Sequence, residues 1–313
     1  MITFDDSFFE AEVRNGFRVP SMMKHCWAAE MEVMGVIGRL CEKHGIQYFA
    51  DWGTLLGAVR HKGYIPWDDD IDLAMKRPDY ERFWRIAEKE LPKDYQVINI
   101  YTDEQYLSVN AKIYNSHTLQ FTPEYLQMYH GCPYVIVVDI FPIDYVPRVK
   151  EEEQAQMELI SAVNTVAEYL RNPDVDQDQL AETIKMIETA CNVRFDPSQS
   201  MFHQLAVLGE QLACLYGPDD SDYLTQMFRL VGGQGFYVPK EAYDKAIMMP
   251  FENIEIPVPV GYDEVLKLEF GDYMTMIRSN GSHEYPFYKD QQEILREMLI
   301  ENHIPLSAFY FEE

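Results

Sequence analysis

The spacing of hydrophobic and polar positions predicts alternating helices and strands in the first half of the chain. Apolar side chains recur at steps of three and four residues over 22–44, which indicates an amphipathic helix that Gly45 can end. A short strand is expected over Ile46–Ala50, a strand with a period of two over 70–75, and a second helix from Arg77. This alternation is typical of an α/β fold.

The second half of the chain divides into two kinds of pattern. Residues 150–230 are acidic, rich in glutamine and helical in periodicity, without clear strands, so we interpret them as an inserted helical lobe. The remaining segments, 1–149 and 231–313, are expected to form one core around the lobe. In this core, further extended segments are predicted over Tyr95–Tyr101, Ser108–Tyr114, Tyr134–Phe141 and Pro250–Val260.

Composition limits the compartment and the partners. The chain has 313 residues and a formal net charge of −26, which argues against nucleic acid polymers and anionic lipid surfaces as partners. It has no apolar run long enough for an integral membrane segment and no basic, apolar leader. Its five scattered cysteines include no C-x₂-C pair, which argues against a zinc site or a disulfide framework. We expect a cytoplasmic protein, whose oligomeric state the composition does not define.

An acidic segment contains the main candidate chemistry. Four carboxylates lie within positions 68–72, and they repel one another unless they are solvated, partly protonated or bound to a cation. The period of a strand places Asp70 and Asp72 on one face, with Ile71 and Leu73 on the other. Two carboxylates on one face of an otherwise apolar strand form a pair of oxygen ligands suited to Mg²⁺ or Mn²⁺.

This segment has two alternatives to the metal pair. A calcium loop of the EF-hand type requires glycine at its sixth position and glutamate at its twelfth, where this chain has Leu73 and Asp79. That interpretation therefore fails. A solvated acidic turn is the ordinary alternative, and it stays open, although the apolar residues between the acids favour a half-buried strand.

A third carboxylate is expected from a distant strand. Asp139 interrupts the β-branched run over 133–141, and a carboxylate in a buried strand needs a partner. The alternatives are a structural ion pair or an acid at a strand end. Together with Asp70 and Asp72, this residue would complete a group of acids able to hold one or two divalent cations.

A phosphate-binding role is suggested by residues near the acids. Glycine at position 53 lets the backbone approach an anion, and the hydroxyl of Thr54 can contact a phosphate oxygen. An ordinary turn and a solvated loop are the alternatives. The candidate phosphate-binding residues are Gly53, Thr54, Arg60, His61, Lys62 and Lys112.

The segment Trp52–Leu73 closely resembles the signature of the LicD family, which belongs to the nucleotidyltransferase-fold superfamily. The shared pattern is a Gly-Thr turn, a D-x-D strand at Asp70–Asp72 and a third acid, here Asp139. Segments 138–144 and 256–274 are similar to further blocks of that family. The resemblance implies a nucleotidyltransferase-like mixed β-sheet flanked by helices. Residues 150–230 resemble no block of the family, and their assignment as an inserted lobe rests on their helical pattern alone.

The resemblance also implies an activity, a metal and partners. It implies a transferase that moves phosphocholine from CDP-choline to a hydroxyl of a cell-surface glycan precursor, of the teichoic acid or lipopolysaccharide type. Asp70, Asp72 and Asp139 would be catalytic and would bind Mg²⁺ or Mn²⁺, and Asp139 would also take the acceptor proton. Some of the 21 tyrosines would suit a cage for quaternary ammonium, but composition does not identify them.

Two alternative functions stay open from the sequence. A nucleotidyltransferase would use the same carboxylates to transfer a nucleoside monophosphate and release pyrophosphate. A non-catalytic protein that binds divalent cations or nucleotides would also need them.

Overall fold

The structure is a computed structural model that describes residues 1–106, 108–170, 176–278, 285–306 and 309. Its strands are β1 (Glu12–Arg14), β2 (Phe17–Val19), β3 (Phe49–Ala50), β4 (Ile71–Lys76), β5 (Gln96–Ile98), β6 (Ala111–Tyr114), β7 (Val137–Pro147), β8 (Ser221–Thr225), β9 (Val238–Pro239), β10 (Ala246–Phe251) and β11 (Ile254–Pro259). Its α-helices are α1 (Ser21–His44), α2 (Trp52–Leu56), α3 (Arg77–Glu90), α4 (Pro123–Met128), α5 (Lys150–Tyr169), α6 (Gln177–Cys191), α7 (Met201–Ala213), α8 (Met227–Val231), α9 (Tyr262–Phe270) and α10 (Lys289–Glu301).

A mixed seven-stranded sheet forms the centre of the protein. Five strands follow the order β3-β4-β7-β6-β5, in which β4 and β7 are parallel and the other neighbours are antiparallel. The distal part of β7 pairs with β8, which in turn pairs with β9. Helices flank this sheet, and the predicted α/β class is confirmed. Strand β7 is longer than expected because its distal half pairs with a strand that the sequence did not indicate.

Helix α1 covers the sheet and supplies much of its core. Most of its residues are buried, including Trp27, Met23 and Ile37, since its apolar positions recur with the helical period. Gly45 ends the helix in the left-handed conformation, at φ 60°, and its N–H donates to the carbonyls of Cys41 and Glu42. The predicted helix and its terminator are confirmed.

In its described residues, the segment 150–230 contains the long helices α5, α6 and α7, the strand β8 and most of the short helix α8. Helices α5, α6 and α7 share a hydrophobic cluster that is separate from the main core and includes Val163, Leu205 and Leu208. The expectation that this segment lacks strands is wrong, because Ser221–Thr225 forms β8. Side chains of β8 alternate between polar and apolar only briefly, so tertiary pairing with β7 determines the strand.

A buried ion cluster links α3 and α7 to the sheet. Arg77, the first residue of α3, donates from Nε to Oδ1 of Asp144 on β7 at 2.6 Å. Its Nη1 donates to Glu210 on α7. All three side chains are almost fully buried, and the two carboxylates hold the pKa of Arg77 well above its usual range although burial opposes this.

The C-terminal part returns to short elements. The predicted extended segment forms the antiparallel hairpin of β10 and β11. Helix α9 follows and ends at Gly271, whose φ of 63° suits glycine. In the part of the chain that the structure describes, no helix combines the length and the apolar character needed to cross a membrane.

Candidate functional site

Three charged side chains form a row across adjacent strands of the sheet. In the parallel pair of β4 and β7, Asp72 lies opposite Asp139, and in the antiparallel pair of β7 and β6, Asp139 lies opposite Lys112. Residues in direct register point to the same face. Along β7, Asp139 and Phe141 are half-buried while Val138 and Ile140 between them are buried, so this face is the more open one.

Negative charge accumulates around Asp72. Burial raises the pKa of this carboxyl well above its usual value, and the neighbouring Asp70 and Asp139 raise it further. The charges of Asp51 and Asp68 act in the same direction. An ionised Asp72 is therefore costly unless a cation compensates it.

Two side chains contact the carboxylate of Asp139: Lys112 on β6, and Asn110, the residue just before β6. The amide nitrogen of Asn110 donates to Oδ1 of Asp139, and Lys112 Nζ lies 3.1 Å from the same carboxylate oxygen. Lys112 thus pairs with the third acid, and its predicted contact with phosphate stays a prediction. Asn110 was not predicted from the sequence, although the period of two places it on the face of Lys112.

Gly53 and Thr54 position the acidic segment. The hydroxyl oxygen of Thr54 accepts a hydrogen bond from the backbone N–H of Asp72 at 2.9 Å. A Cβ at position 53 would lie 2.2 Å from Oδ2 of Asp68, so only glycine allows this carboxylate its place. The phosphate contacts predicted for both residues stay predictions.

We expect the substitution Thr54→Val to lower the free energy of unfolding by about 1–3 kcal/mol, because a buried N–H of Asp72 loses its acceptor. Thr54→Ser keeps the hydroxyl and should stay close to the parent protein. Urea denaturation of the three proteins measures the difference. A loss for serine without a loss for valine would show that the methyl group, not the hydroxyl, matters.

Asp51 is a buried acid at this site that was not predicted from the sequence. Its backbone N–H donates to the carbonyl of Asp72 at 3.0 Å, and its Oδ2 accepts a hydrogen bond from Gln226 Nε2 at 2.6 Å. Burial raises the pKa of Asp51 to about 7. Its place two residues before Gly53 was the available signal. No local pattern indicated its partner Gln226, which lies near the end of the segment 150–230.

The basic segment lies in a π-helical turn over Gly57–His61. Arg60 Nη1 donates to the carbonyl of Tyr273 at 2.8 Å, and Lys62 Nζ donates to the carbonyl of Val59 at 3.0 Å. Burial, with the charge of Arg60 nearby, lowers the pKa of His61 to about 4, which keeps its ring neutral at physiological pH. These contacts hold the turn against the 273–275 loop, and phosphate binding by the three basic residues stays a prediction.

The carboxylates suit a divalent metal in their chemistry. Among the described residues, no group of three or more His, Cys, Asp and Glu side chains is close enough together to hold a metal ion as it stands. Asp70 and Asp72 nevertheless supply the oxygen ligands that Mg²⁺ and Mn²⁺ prefer, and their mutual repulsion is what a cation would relieve. The donor set therefore fits such an ion.

The fold and the row of charged residues define a class of protein. Comparison with known proteins identifies this class. The family described as LicD/FKTN/FKRP, nucleotidyltransferase domain, matches residues 45–147, which run from just before β3 to the end of β7. The match includes every predicted catalytic and phosphate-binding residue. The protein is therefore an enzyme of the class that transfers phosphate-containing groups.

Relatives extend this match over most of the chain. Lipopolysaccharide cholinephosphotransferase LicD of Haemophilus influenzae is 31% identical over 251 residues, which cover 79% of this chain and 89% of that protein. The ribitol 5-phosphate transferase FKRP of Homo sapiens is 39% identical over 54 residues, 17% of this chain and 11% of that protein. The chain belongs to the LicD family, and the resemblance noted in the sequence is confirmed.

Proposed function

We propose that the protein transfers phosphocholine from CDP-choline to a hydroxyl of a cell-surface glycan, of the lipopolysaccharide or teichoic acid type, in a reaction that depends on a divalent metal. The observation that carries the proposal is the row of Asp72, Asp139 and Lys112 on one open face of the sheet. The similarity to a lipopolysaccharide cholinephosphotransferase over 89% of its length supports the choice of donor and acceptor.

The reaction requires an acceptor oxygen, a phosphorus and a leaving group in line. The acceptor oxygen forms a bond to the phosphorus that carries the choline ester, the bond from this phosphorus to CMP breaks, and the acceptor loses its proton. We assign the proton to Asp139, because Asn110 and Lys112 fix the orientation of its carboxylate. A Mg²⁺ or Mn²⁺ ion held by Asp70, Asp72 and Asp139 would neutralise charge on the phosphate oxygens.

Product analysis tests the proposal against the two alternatives. The purified protein is incubated with Mg²⁺, an acceptor glycan and either CDP-choline or CTP, and the nucleotide products are separated. We expect CMP and choline-labelled glycan from CDP-choline, and a loss of both products when EDTA is added. Pyrophosphate from CTP would identify a nucleotidyltransferase instead. Binding of nucleotide or Mg²⁺ without product in either reaction would indicate a non-catalytic binding protein.

A further inference from the structure

Three aromatic rings lie next to the row of Asp72, Asp139 and Lys112. Phe141 follows Asp139 by two residues on β7, and both are half-buried on the open face of this strand. Trp52 begins α2, and Phe228 belongs to α8. The centroid of Phe141 lies 6.2 Å from that of Trp52 and 6.3 Å from that of Phe228, with tilted planes. We name these three residues the aromatic wall.

The rings of the aromatic wall are more accessible than core packing requires. Phe141 is half-buried and lies opposite Ala74 on β4, a residue with a small side chain. Phe228 is 37% exposed, whereas Phe49, Phe83 and Phe251 in the main core are fully buried. Half-exposed aromatic surface beside a charged row is typical of a binding surface.

Trp52 already binds a cation through its ring. The guanidinium carbon of Arg229 lies 4.8 Å from the centroid of Trp52 and 4.0 Å from that of Phe236. Arg229 is in turn neutralised by an ion pair with Glu269. Trp52 also has a left-handed backbone, at φ 43°, which is unfavourable for a side chain of this size and is maintained by its surroundings. One face of this indole thus shows the cation–π geometry directly.

The distance between the wall and the acids matches a short substituent on phosphate. Choline carries its nitrogen two carbons beyond the ester oxygen, so its ammonium group must bind close to the phosphate. One strand repeat, about 7 Å, separates Phe141 from Asp139. A trimethylammonium group donates no conventional hydrogen bond, so ring faces and nearby anions are what recognise it. The charges around Asp72 supply the anions.

We propose that the aromatic wall binds the quaternary ammonium of the donor and selects a cationic headgroup. This inference rests on the proposed phosphocholine transfer. It also gives the lobe segment a part in the site, because Phe228 comes from α8 and Gln226, just before this helix, holds Asp51. The sequence did not indicate which aromatic residues would serve.

An uncharged analogue of the donor tests whether the protein recognises the charge of the headgroup or only its shape. The 3,3-dimethylbutyl analogue of CDP-choline replaces the nitrogen by carbon and keeps the volume of the headgroup. We expect the parent protein to favour CDP-choline in kcat/KM by about tenfold or more, through KM, as cation–π contacts would provide. In Phe141→Leu and in Phe228→Leu, the ratio of the kcat/KM values for the two donors should be close to one. Tyr169→Leu, an exposed aromatic residue of α5, serves as the control and should leave the ratio unchanged.

The outcomes separate this inference from the proposed function. Equal losses for both donors in the two variants would show that the wall only supports the fold, and would overturn the inference while phosphocholine transfer stands. If the parent protein transfers neither donor, the proposed function fails, and calorimetric binding of the two donors then tests the wall alone. In that case, equal affinity for the charged and the neutral donor would overturn the inference about the aromatic wall. A preference for CDP-choline that is lost in Phe141→Leu would support the inference.

Discussion

Replacing Asp72 by asparagine should reduce transfer by about a thousandfold or more and leave the fold intact. The carboxylate lies in register with Asp139 and next to Asp70, at the point where we expect the metal and the donor phosphates. A thousandfold loss corresponds to about 4 kcal/mol of transition-state stabilisation, which is the scale of metal and electrostatic catalysis. Release of CMP from CDP-choline is the measurement.

The same substitution should not destabilise the protein in the absence of metal. The pKa of Asp72 is raised in the folded state above its usual value of 3.8, so the folded protein binds more protons than the unfolded chain in the interval between the two values. Ionisation of Asp72 therefore costs stability as pH rises through this interval, and asparagine removes that cost. We expect an unchanged or higher free energy of unfolding in EDTA at pH 7, with a flatter dependence on pH.

Asp222→Asn is the matched control for both measurements, since Asp222 forms an exposed ion pair with Arg148 away from the row. It should retain activity and stability. If Asp72→Asn instead unfolded the protein, or kept full activity, Asp72 would be a structural acid and the assignment of the site would be wrong.

Replacing Arg77 by methionine should lower the free energy of unfolding by about 3–5 kcal/mol. The guanidinium is paired with Asp144 and Glu210, and all three side chains are almost fully buried. Without Arg77, two carboxylates stay buried close to each other with no cation between them. The cost is the desolvation and repulsion of these charges, which water cannot relieve. Denaturant unfolding at neutral pH measures it.

Two further variants test the origin of that loss. Arg85→Met removes a guanidinium from the same helix, but this side chain is about half exposed and pairs with Glu81 at the surface, so the loss should stay below about 1 kcal/mol. Adding Glu210→Gln to Arg77→Met removes one uncompensated charge and should restore part of the stability. No recovery in the double variant would mean that lost packing, and not buried charge, dominates.

Local patterns of the sequence predicted the parts of the site that depend on neighbouring residues. The period of two predicts Asp70 and Asp72 on one face; in the structure β4 begins at Ile71, so only Asp72 lies within the strand and the common face stays a prediction. The helix α1, its end at Gly45 and the hairpin of β10 and β11 follow from similar local rules. The assignment of Asp139 needed one more argument, the cost of an acid in a buried strand. The parallel register that brings it opposite Asp72 is visible only in the structure.

Residues that depend on distant partners could not be predicted. Asp51 is bonded to Gln226, 175 positions further along the chain, and no local pattern relates them. Strand β8 was missed because its pairing with β7, and not its own periodicity, makes it a strand. For the basic segment, charge alone suggested phosphate binding, and this stays a prediction. In the structure, Arg60 and Lys62 donate to backbone carbonyls.

The length of β7 has a consequence for how such an enzyme can be diversified. Asp139 and Asp144 are five residues apart, an odd spacing, so the strand presents the row of charges on one face and the anchor for α7 on the other. Substitutions on the anchoring face therefore act on the attachment of α7 and not on the row of charges. The helices α5 to α7 of a relative would be accepted if they bring an acid to the position of Glu210 and leave β8, Gln226 and Phe228 in place. Exchange of residues 150–213 thus offers a route to variation beside the site with unchanged chemistry.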